Sequence, residues 1–474
     1  MLNEITADIC VIGGGSGGLS VAAGASQMGA DVVLLEKAKM GGDCLNYGCV
    51  PSKSMIAAAH AAHAIRTADR FGIAAGEPAV DFEKVHDHVH GVIAAIAPHD
   101  SVERFEGLGV RVIQEHGKFI GPTRVQAGDT IINAKRVVIS TGSHAGVPPI
   151  PGLEDVPYLT NETVFDRKAA PDHLIVIGGG PIGSELAQAH RRLGCRVTIL
   201  EMFAVLGKDD PELTEVVKNR MLSEGIVMRE GIKVLRVERT DTGVAVVIED
   251  DGKGERVEGS DLLVSAGRVP NLDGLDLEAA GIEFDGRGVK VDARLRTTNK
   301  KVFAIGDAAG SFQFTHVAGY HAGIVIRNIL FRLPAKVDYS ALPWVTYTDP
   351  ELAHVGMTEA QAREKHGDIR ILRHPFAEND RAQAERKIDG LAKVVTTAKG
   401  VIVGASIVGP HAGELIQSWL LPIKKKMKIG AVAGLIIPYP TLGEVNKRAA
   451  GSFYTTKLFS EKTKKIVRFL LKFG

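Results

Sequence analysis

One pattern occurs twice in this chain and fixes most of what it can fold into. An apolar run, Ala7 to Ile12, leads into Gly13-Gly14-Gly15-Ser16-Gly17-Gly18, and a second apolar run, Val32 to Leu35, ends at Glu36. Leu174 to Ile177 leads likewise into Gly178-Gly179-Gly180-Pro181-Ile182-Gly183, and Val197 to Leu200 ends at Glu201. The acid follows the first glycine by 23 residues in both copies, from 13 to 36 and from 178 to 201. Strand, glycine turn, helix and strand in this order make a dinucleotide-binding unit. The glycines permit a tight turn and close approach of the backbone to a pyrophosphate at the helix N-terminus, and the acid accepts from a ribose hydroxyl. Gly13, Gly15, Gly18 and Glu36 are the expected contacts of the first copy, and Gly178, Gly180, Gly183 and Glu201 those of the second. One such fingerprint is a weak signal; two with matched spacing imply two bound dinucleotides. The fold class that follows is α/β, with two Rossmann-like dinucleotide-binding domains.

Directly after the first unit comes Gly41-Gly42-Asp43-Cys44-Leu45-Asn46-Tyr47-Gly48-Cys49-Val50-Pro51-Ser52-Lys53. In an ideal helix, residues five apart are separated by about 7.5 Å of rise and about 140° of rotation, more than relaxed disulfide geometry tolerates. A bridge between Cys44 and Cys49 must therefore distort its helix, and strain of that kind makes a disulfide labile or catalytic. The alternatives are two unrelated buried thiols or half of a zinc site. Structural zinc asks for a second ligand pair, and the only other cysteines are Cys10, inside the first expected strand, and Cys195, at the entry to another. No metal site is expected.

A chain of 474 residues is too long for one core and suggests three domains. Its formal net charge of +1 gives no reason to expect nucleic-acid binding. Four cysteines and 45% hydrophobic residues describe an intracellular enzyme rather than a disulfide-stapled secreted protein. The start Met1-Leu2-Asn3-Glu4 lacks a signal pattern and no apolar run reaches membrane-spanning length, so the expected location is the cytoplasm.

Residues Gly41 to Lys53 resemble the redox-active signature of class I pyridine nucleotide-disulfide oxidoreductases, the flavoenzymes that include dihydrolipoamide dehydrogenase, glutathione reductase and mercuric reductase. Ser140-Thr141-Gly142-Ser143, Gly267-Arg268-Val269-Pro270-Asn271, Ala304-Ile305-Gly306-Asp307 and Thr348-Asp349-Pro350-Glu351 agree with it. The resemblance implies an FAD-binding domain made of residues 1–151 and 267–335, an NAD(P)-binding domain at 152–266, and an α+β interface domain at 336–474 through which the chain forms a homodimer. Alternating segments Leu391 to Thr396 and Val401 to Val408 read as antiparallel strands of that last domain. It also implies that Gly42, Lys53, Gly117, Thr141, Gly142, Gly267, Arg268, Asp307 and Thr315 belong to the cofactor sites. Electrons would pass from NAD(P)H through FAD to a Cys44–Cys49 disulfide and on to a disulfide or thiol-reactive acceptor. By family position Cys49 is the thiol nearest the flavin and Cys44 the interchange thiol, while Lys53 and Glu185 pair beside the flavin. Glu201, followed by Lys208 but by no arginine in the next ten residues, favours NADH over NADPH.

The chain departs from the family near its end. Disulfide reductases carry His-Pro-Thr-x-Ser-Glu, whose histidine protonates the leaving thiol across the dimer interface and is oriented by the glutamate. Here the segment is Tyr439-Pro440-Thr441-Leu442-Gly443-Glu444. A phenol titrates near 10 rather than near 6.5, and losing a positioned acid–base group commonly costs about 10²- to 10⁴-fold. Mercuric reductase is similar in placing a tyrosine here, but it hands metal inward through a second cysteine pair, and this chain has no cysteine after Cys195. Pro181 stands where many relatives place an aromatic over the nicotinamide pocket, and His411 reads as a loop residue rather than a replacement base.

The tail is the last unusual segment. Lys457 to Lys472 holds six basic residues and one acid among Leu458, Phe459, Ile466, Val467, Phe469, Leu470 and Leu471. A basic amphipathic helix over 457–472 either lies on an anionic membrane surface or packs on the dimer with a solvated face, the second being the plainer expectation. Two other function classes remain at this point: a quinone or metal-ion reductase in which flavin itself meets the acceptor, and a non-catalytic flavin redox sensor.

Overall fold

The computed structural model describes residues 3–473; Met1, Leu2 and Gly474, at the ends of the first and last expected domains, lie outside them. The chain divides into two compact units, one built from 1–178, 189–200 and 233–337, the other from 179–188, 201–232 and 338–474.

The first unit is organised on a seven-stranded sheet with strand order β3-β2-β1-β6-β5-β4, where β1 is Asn3–Ile12, β2 Val32–Leu35, β3 Val110–Ile113, β4 Gly117–Phe119, β5 Arg124–Ala127 and β6 Thr130–Ile139. The four strands β3, β2, β1 and β6 run parallel. The strand Val302–Ala304 joins them on the second half of β6, with Val302 opposite Val137. Successive residues of a strand face opposite sides, and β1 shows it. Cys10 and Ile12 enter one apolar cluster with Phe119 and Ile132, and Ile9 and Val11 enter another with Leu19 and Phe303. A strand buried on both faces has to be apolar throughout, which is why Ala7 to Ile12 reads as a continuous run rather than an alternating one. The same unit holds the parallel strands His173–Ile177, Arg196–Leu200 and Asp261–Val264, and an antiparallel sheet of Lys233–Thr240, Gly243–Asp250 and Lys253–Gly259.

Where a single distorted helix was expected across the two cysteines, two helices stand. Helix α1 is Ser16–Gln27, α2 is Gly42–Asn46 and α3 is Cys49–Arg66. The break lies at Tyr47 and Gly48. Gly48 has φ −123° and ψ −109°, outside the regions that a Cβ allows, and a Cβ there would meet the Asp43 carboxylate at 2.8 Å. Asn161 fixes the break by donating to Asp43 Oδ1 at 3.1 Å and to the Tyr47 carbonyl at 3.2 Å. Pro51 costs α3 nothing, because the first four amides of a helix have no intrahelical partner.

The second unit contains a five-stranded antiparallel sheet in the order Pro343–Thr346, Glu351–Gly356, Ile402–Gly409, Leu391–Thr397 and Ile369–Pro375. Its core holds Phe376 and Trp419, whose indole donates to Asn446 at 3.0 Å from the helix Glu444–Leu458. Lys393, with only 5% of its side chain exposed, projects from this sheet into three carboxylates, Asp210 at 2.6 Å, Glu212 at 2.9 Å and Glu359 at 2.9 Å. Asp210 also caps the helix Pro211–Ser223 by accepting from the Glu212 amide, so one buried cation holds a helix start, a second helix and a strand together.

Removing one partner of a buried ion cluster strands the others, typically at about 3–5 kcal/mol. Lys393→Met is therefore expected to lower thermal stability strongly at pH 7. The hydrogen bond from Arg373, with that from Lys393, holds the Glu212 carboxyl down at about 2. A carboxyl whose folded value is depressed contributes stability above its unfolded value, near 4.5, and loses it as pH falls towards 2. Melting curves of the two proteins should therefore converge between those limits, and a constant difference across that window would show that the cluster is not what holds these elements.

Candidate functional site

The two glycine fingerprints are built by the same contacts. At the first, Gly13 has φ +109°, a left-handed value, and a Cβ on it would overlap the Ser140 carbonyl. The Ser140 hydroxyl bonds the Ile12 and Gly13 carbonyls at 3.0 and 2.9 Å. At the second, Gly178 has φ +103°, its Cβ position meets the Ser265 carbonyl at 2.6 Å, and the Ser265 hydroxyl bonds the Ile177 and Gly178 carbonyls at 3.1 and 2.9 Å. Each acid is fixed in the same way. Glu36 accepts from the Gly14 amide at 2.6 Å and from the Ala38 amide at 2.7 Å, and Glu201 from the Gly179 amide at 2.7 Å and the Phe203 amide at 2.9 Å. Ser140 and Ser265 are functional-site residues that the fingerprint alone does not reveal. Their signal is a third repeat, an apolar strand ending in Ser-Thr-Gly at 140–142 and in Ser-Ala-Gly at 265–267.

In the first unit a cleft is lined by Gly13, Glu36, Gly117 and Thr141, which the structure brings together from four separate elements. Thr141 donates to the Asn271 carbonyl at 2.7 Å, and Asn271 returns a bond from its amide to the Gly142 carbonyl at 2.9 Å. Gly15 and Gly41 form a parallel bridge, and a Cβ on Gly42 would meet Gly15 at 2.7 Å, so the first fingerprint and the cysteine segment touch backbone to backbone. A glycine cradle with no room for a Cβ, an acid held at the strand end and an open cleft between them fit the pyrophosphate and ribose of FAD. Asp307 belongs to the same unit. It accepts from the Ser143 hydroxyl at 2.6 Å, and burial, opposed by that bond and by Arg268, holds its carboxyl above the ordinary aspartate range. Arg268, with 12% of its side chain exposed, reaches Asp43 at 3.1 Å and Asp307 at 3.9 Å. It thus ties the cysteine segment to that acid.

The two cysteines of the signature lie within this unit as thiols, Cys44 half-buried on α2 and Cys49 exposed at the first position of α3. They share a hydrogen bond that moves them in opposite directions. Donation from Cys44 is the largest influence holding Cys49 down, to about 6, followed by Thr315 and the Lys53 ammonium against the opposing effects of burial and Asp43. The same bond, then burial and the neighbouring Cys49 charge, push Cys44 far above the ordinary thiol range. The Thr315 hydroxyl lies 3.5 Å from Cys49 Sγ, at the start of the helix Thr315–Ile329. Two helix N-termini and a nearby ammonium are the surroundings that favour a thiolate. Cys10 and Cys195 differ: both are buried and are pushed up to about 12, chiefly by burial, so they are inert core residues. Among the described residues no group of three or more histidines, cysteines and carboxylates is placed to hold a metal ion.

The second unit carries Gly180, Gly183, Glu185, Glu201, Tyr439 and Glu444. Glu185 lies in the second turn of the helix Pro181–Arg192 and is buried; it accepts from the Tyr347 amide at 2.9 Å. Glu444 opens the helix Glu444–Leu458, with Arg448 at 3.9 Å. Tyr439 is 69% exposed, and its hydroxyl donates to Asp380 Oδ2 at 2.8 Å. That bond and the Asp380 charge raise its phenol above the ordinary tyrosine value. Asp380, 59 residues away in sequence, is a third residue, after Ser140 and Ser265, that the motifs do not reveal.

The family model described as pyridine nucleotide-disulphide oxidoreductase matches residues 7–322, and the model of that family's dimerisation domain matches residues 342–450. A mercuric reductase of Bacillus cereus is 33% identical over 94% of this chain and 71% of its own length. A dihydrolipoyl dehydrogenase of Geobacillus stearothermophilus is 34% identical over 94% of this chain and 96% of its own. The solved Cu(II) complex of the HOCl-induced flavoprotein disulfide reductase RclA from Escherichia coli superposes with a TM-score of 0.84 at 26% identity, covering 92% of this chain and 98% of that one.

Loss of the Thr315 hydroxyl removes one hydrogen bond to the thiolate, worth about one pKa unit. In the reduced protein, iodoacetamide labelling of Cys49 followed by mass spectrometry should rise with a midpoint near pH 6, and Thr315→Val should move that midpoint up by about one unit. An unchanged midpoint would show that the hydroxyl does not stabilise the charge.

Proposed function

Because the chain belongs to the pyridine nucleotide-disulfide oxidoreductase family, FAD-dependent enzymes that exchange electrons between NAD(P)H and a disulfide, we propose that it takes its electrons from NADH and delivers them through Cys44 and Cys49 to a thiophilic metal ion. Its dimerisation domain supports a homodimer. Gly13, Gly15, Gly18, Glu36, Gly42, Gly117, Thr141, Gly142 and Asp307 would hold FAD, which when bound relays two electrons from the nicotinamide to the Cys44–Cys49 pair. Glu201 supports NADH: its two oxygens are held by the Gly179 and Phe203 amides at the strand end, where a carboxylate accepts from a 2′-hydroxyl and repels a 2′-phosphate.

The Tyr439–Asp380 bond carries the choice of acceptor. Reduction of a disulfide releases a thiolate that needs a proton, and the position that the resemblance assigns to this task holds a phenol kept protonated by a carboxylate. Such a group neither takes up nor returns a proton readily at neutral pH. A metal ion sets a lighter requirement. The reduced pair, a Cys49 thiolate and a Cys44 thiol, gives up two electrons and one proton to become the Cys44–Cys49 disulfide; two Cu(II) ions take one electron each to become Cu(I), or one Hg(II) takes both, and no leaving group has to be protonated. The proton that Cys44 donates to Cys49 in the reduced pair is the one to be lost when Cys44 binds the ion. That RclA is solved as a Cu(II) complex supports this reading.

NADH oxidation by the purified holoenzyme should be measured against Cu(II), with a Cu(I) chelator present, and against Hg(II), glutathione disulfide and lipoamide. Metal turnover is expected to exceed disulfide turnover by about 10²-fold or more and to vanish in Cys44→Ser, whereas Tyr439→His should raise disulfide turnover selectively. Disulfide turnover equal to metal turnover in the unmodified protein would overturn the acceptor assignment. Equal kcat/KM for NADPH and NADH would overturn the assignment of the reductant.

A further inference from the structure

The helix Glu461–Leu470 buries none of its residues. Phe459, Phe469, Leu470, Leu471 and Phe473 are each more than half exposed, and Ile466 and Val467 nearly so. The expected continuous helix over 457–472 is interrupted: the helix Glu444–Leu458 ends, Phe459 and Ser460 intervene, and the last helix starts afresh. Ser460 caps it by accepting from the Thr463 amide at 3.3 Å, with Glu461 in its first turn and Arg468 in its last, each at the favourable end of the helix dipole. The segment is thus formed by its own local chemistry and not by a core.

At about 100° per residue, Lys464, Lys465, Arg468 and Lys472 fall on one arc, with Glu461 as their only acidic neighbour. Ile466, Phe469, Leu470 and Phe473 fall on the opposite arc, with Val467 and Leu471 at one edge; Lys462 falls within that arc, beside Phe469, where its long stem lets the ammonium leave the apolar face, and the exposed Phe459 precedes the helix cap. The dimerisation domain recognisable in this chain ends at residue 450, before this helix begins. We propose that the segment 459–473 is an interfacial anchor whose apolar arc enters an anionic lipid surface while its basic arc binds the headgroups. Charge decides for lipid over a second copy of the chain. Two copies of an apolar arc would cover each other with no use for four cations beside it, and would bring those like charges together. A bilayer carrying anionic lipid takes up both arcs at once.

Co-sedimentation of the full-length holoenzyme with phosphatidylcholine vesicles, with and without phosphatidylglycerol, tests the anchor. Binding is expected to be at least about tenfold stronger to the anionic vesicles and to weaken with salt. It should be lost on truncation after Leu458 and in Phe469→Glu/Leu470→Glu, with NADH oxidation unchanged in both. Recovery of the intact protein in the supernatant with both vesicle types would overturn the proposal, as would binding that survives truncation. Dissociation of the dimer on truncation, with no vesicle binding by the intact protein, would assign the arc to a second copy instead.

Discussion

The structure depends on a contact made at the end of a strand. A serine hydroxyl bonds two consecutive carbonyls, the second belonging to a glycine in left-handed conformation, and the serine's own carbonyl occupies the space that a side chain on that glycine would need. Closing three strand ends so tightly leaves the next amides pointing outwards at a helix N-terminus. A charged acceptor 2.6 or 2.7 Å away on the neighbouring strand then fixes the turn. The glutamate holds the loop, and on the proposed assignment the same carboxylate would meet the ribose. A loop held by three strands is rigid before any ligand binds, so little ordering remains to be paid on binding.

The cysteine segment depends on the same clamp, because Gly42 rests on Gly15 of the first glycine turn. Beyond that contact the segment is positioned by polar groups. Asp43 accepts from Asn161 on one side and pairs with Arg268 on the other, and Arg268 continues to Ser143 and Asp307. The break at Tyr47 and Gly48 then sets Cys49 at the first position of a new helix instead of burying it within an old one. Had α2 run on into α3, the two sulfurs would have lain on different faces and Cys49 would have lost the helix-start amides that favour its charge.

Local chemistry was legible in the sequence, and long-range chemistry was not. Strand ends at Ile12, Leu35, Ile177 and Leu200 could be read to the residue, because an apolar run meets a glycine or an acid at each. The antiparallel pair after Pro334 was legible too, within one residue at its ends. The helix break between the cysteines was hidden because Gly48 acts through Asn161, 113 residues further on, and a pattern of apolar spacing carries no record of such a partner. Asp380 was hidden for the same reason. The break before Ser460 has a local signal, since serine followed by glutamate is an ordinary helix start, but the run of basic and apolar residues on both sides of it has the spacing of one continuous helix.

Tyr439 shows how a substitution changes meaning when its partner is known. As a residue in a motif it is a poor base that leaves the adjacent Glu444 without the group it orients. As a donor to Asp380 it is a phenol whose proton is already committed, and the bond makes ionisation still harder. A general acid must release its proton to the substrate and recover it in the next cycle, and here release would leave a phenolate beside a carboxylate. Under the proposed metal reduction, which asks nothing of this position, the cost of that charge pair would fall on the disulfide reaction alone. On the proposed metal chemistry, a single side-chain hydrogen bond, made within one unit and visible only when folded, would separate two chemistries that the cysteine signature by itself leaves equivalent.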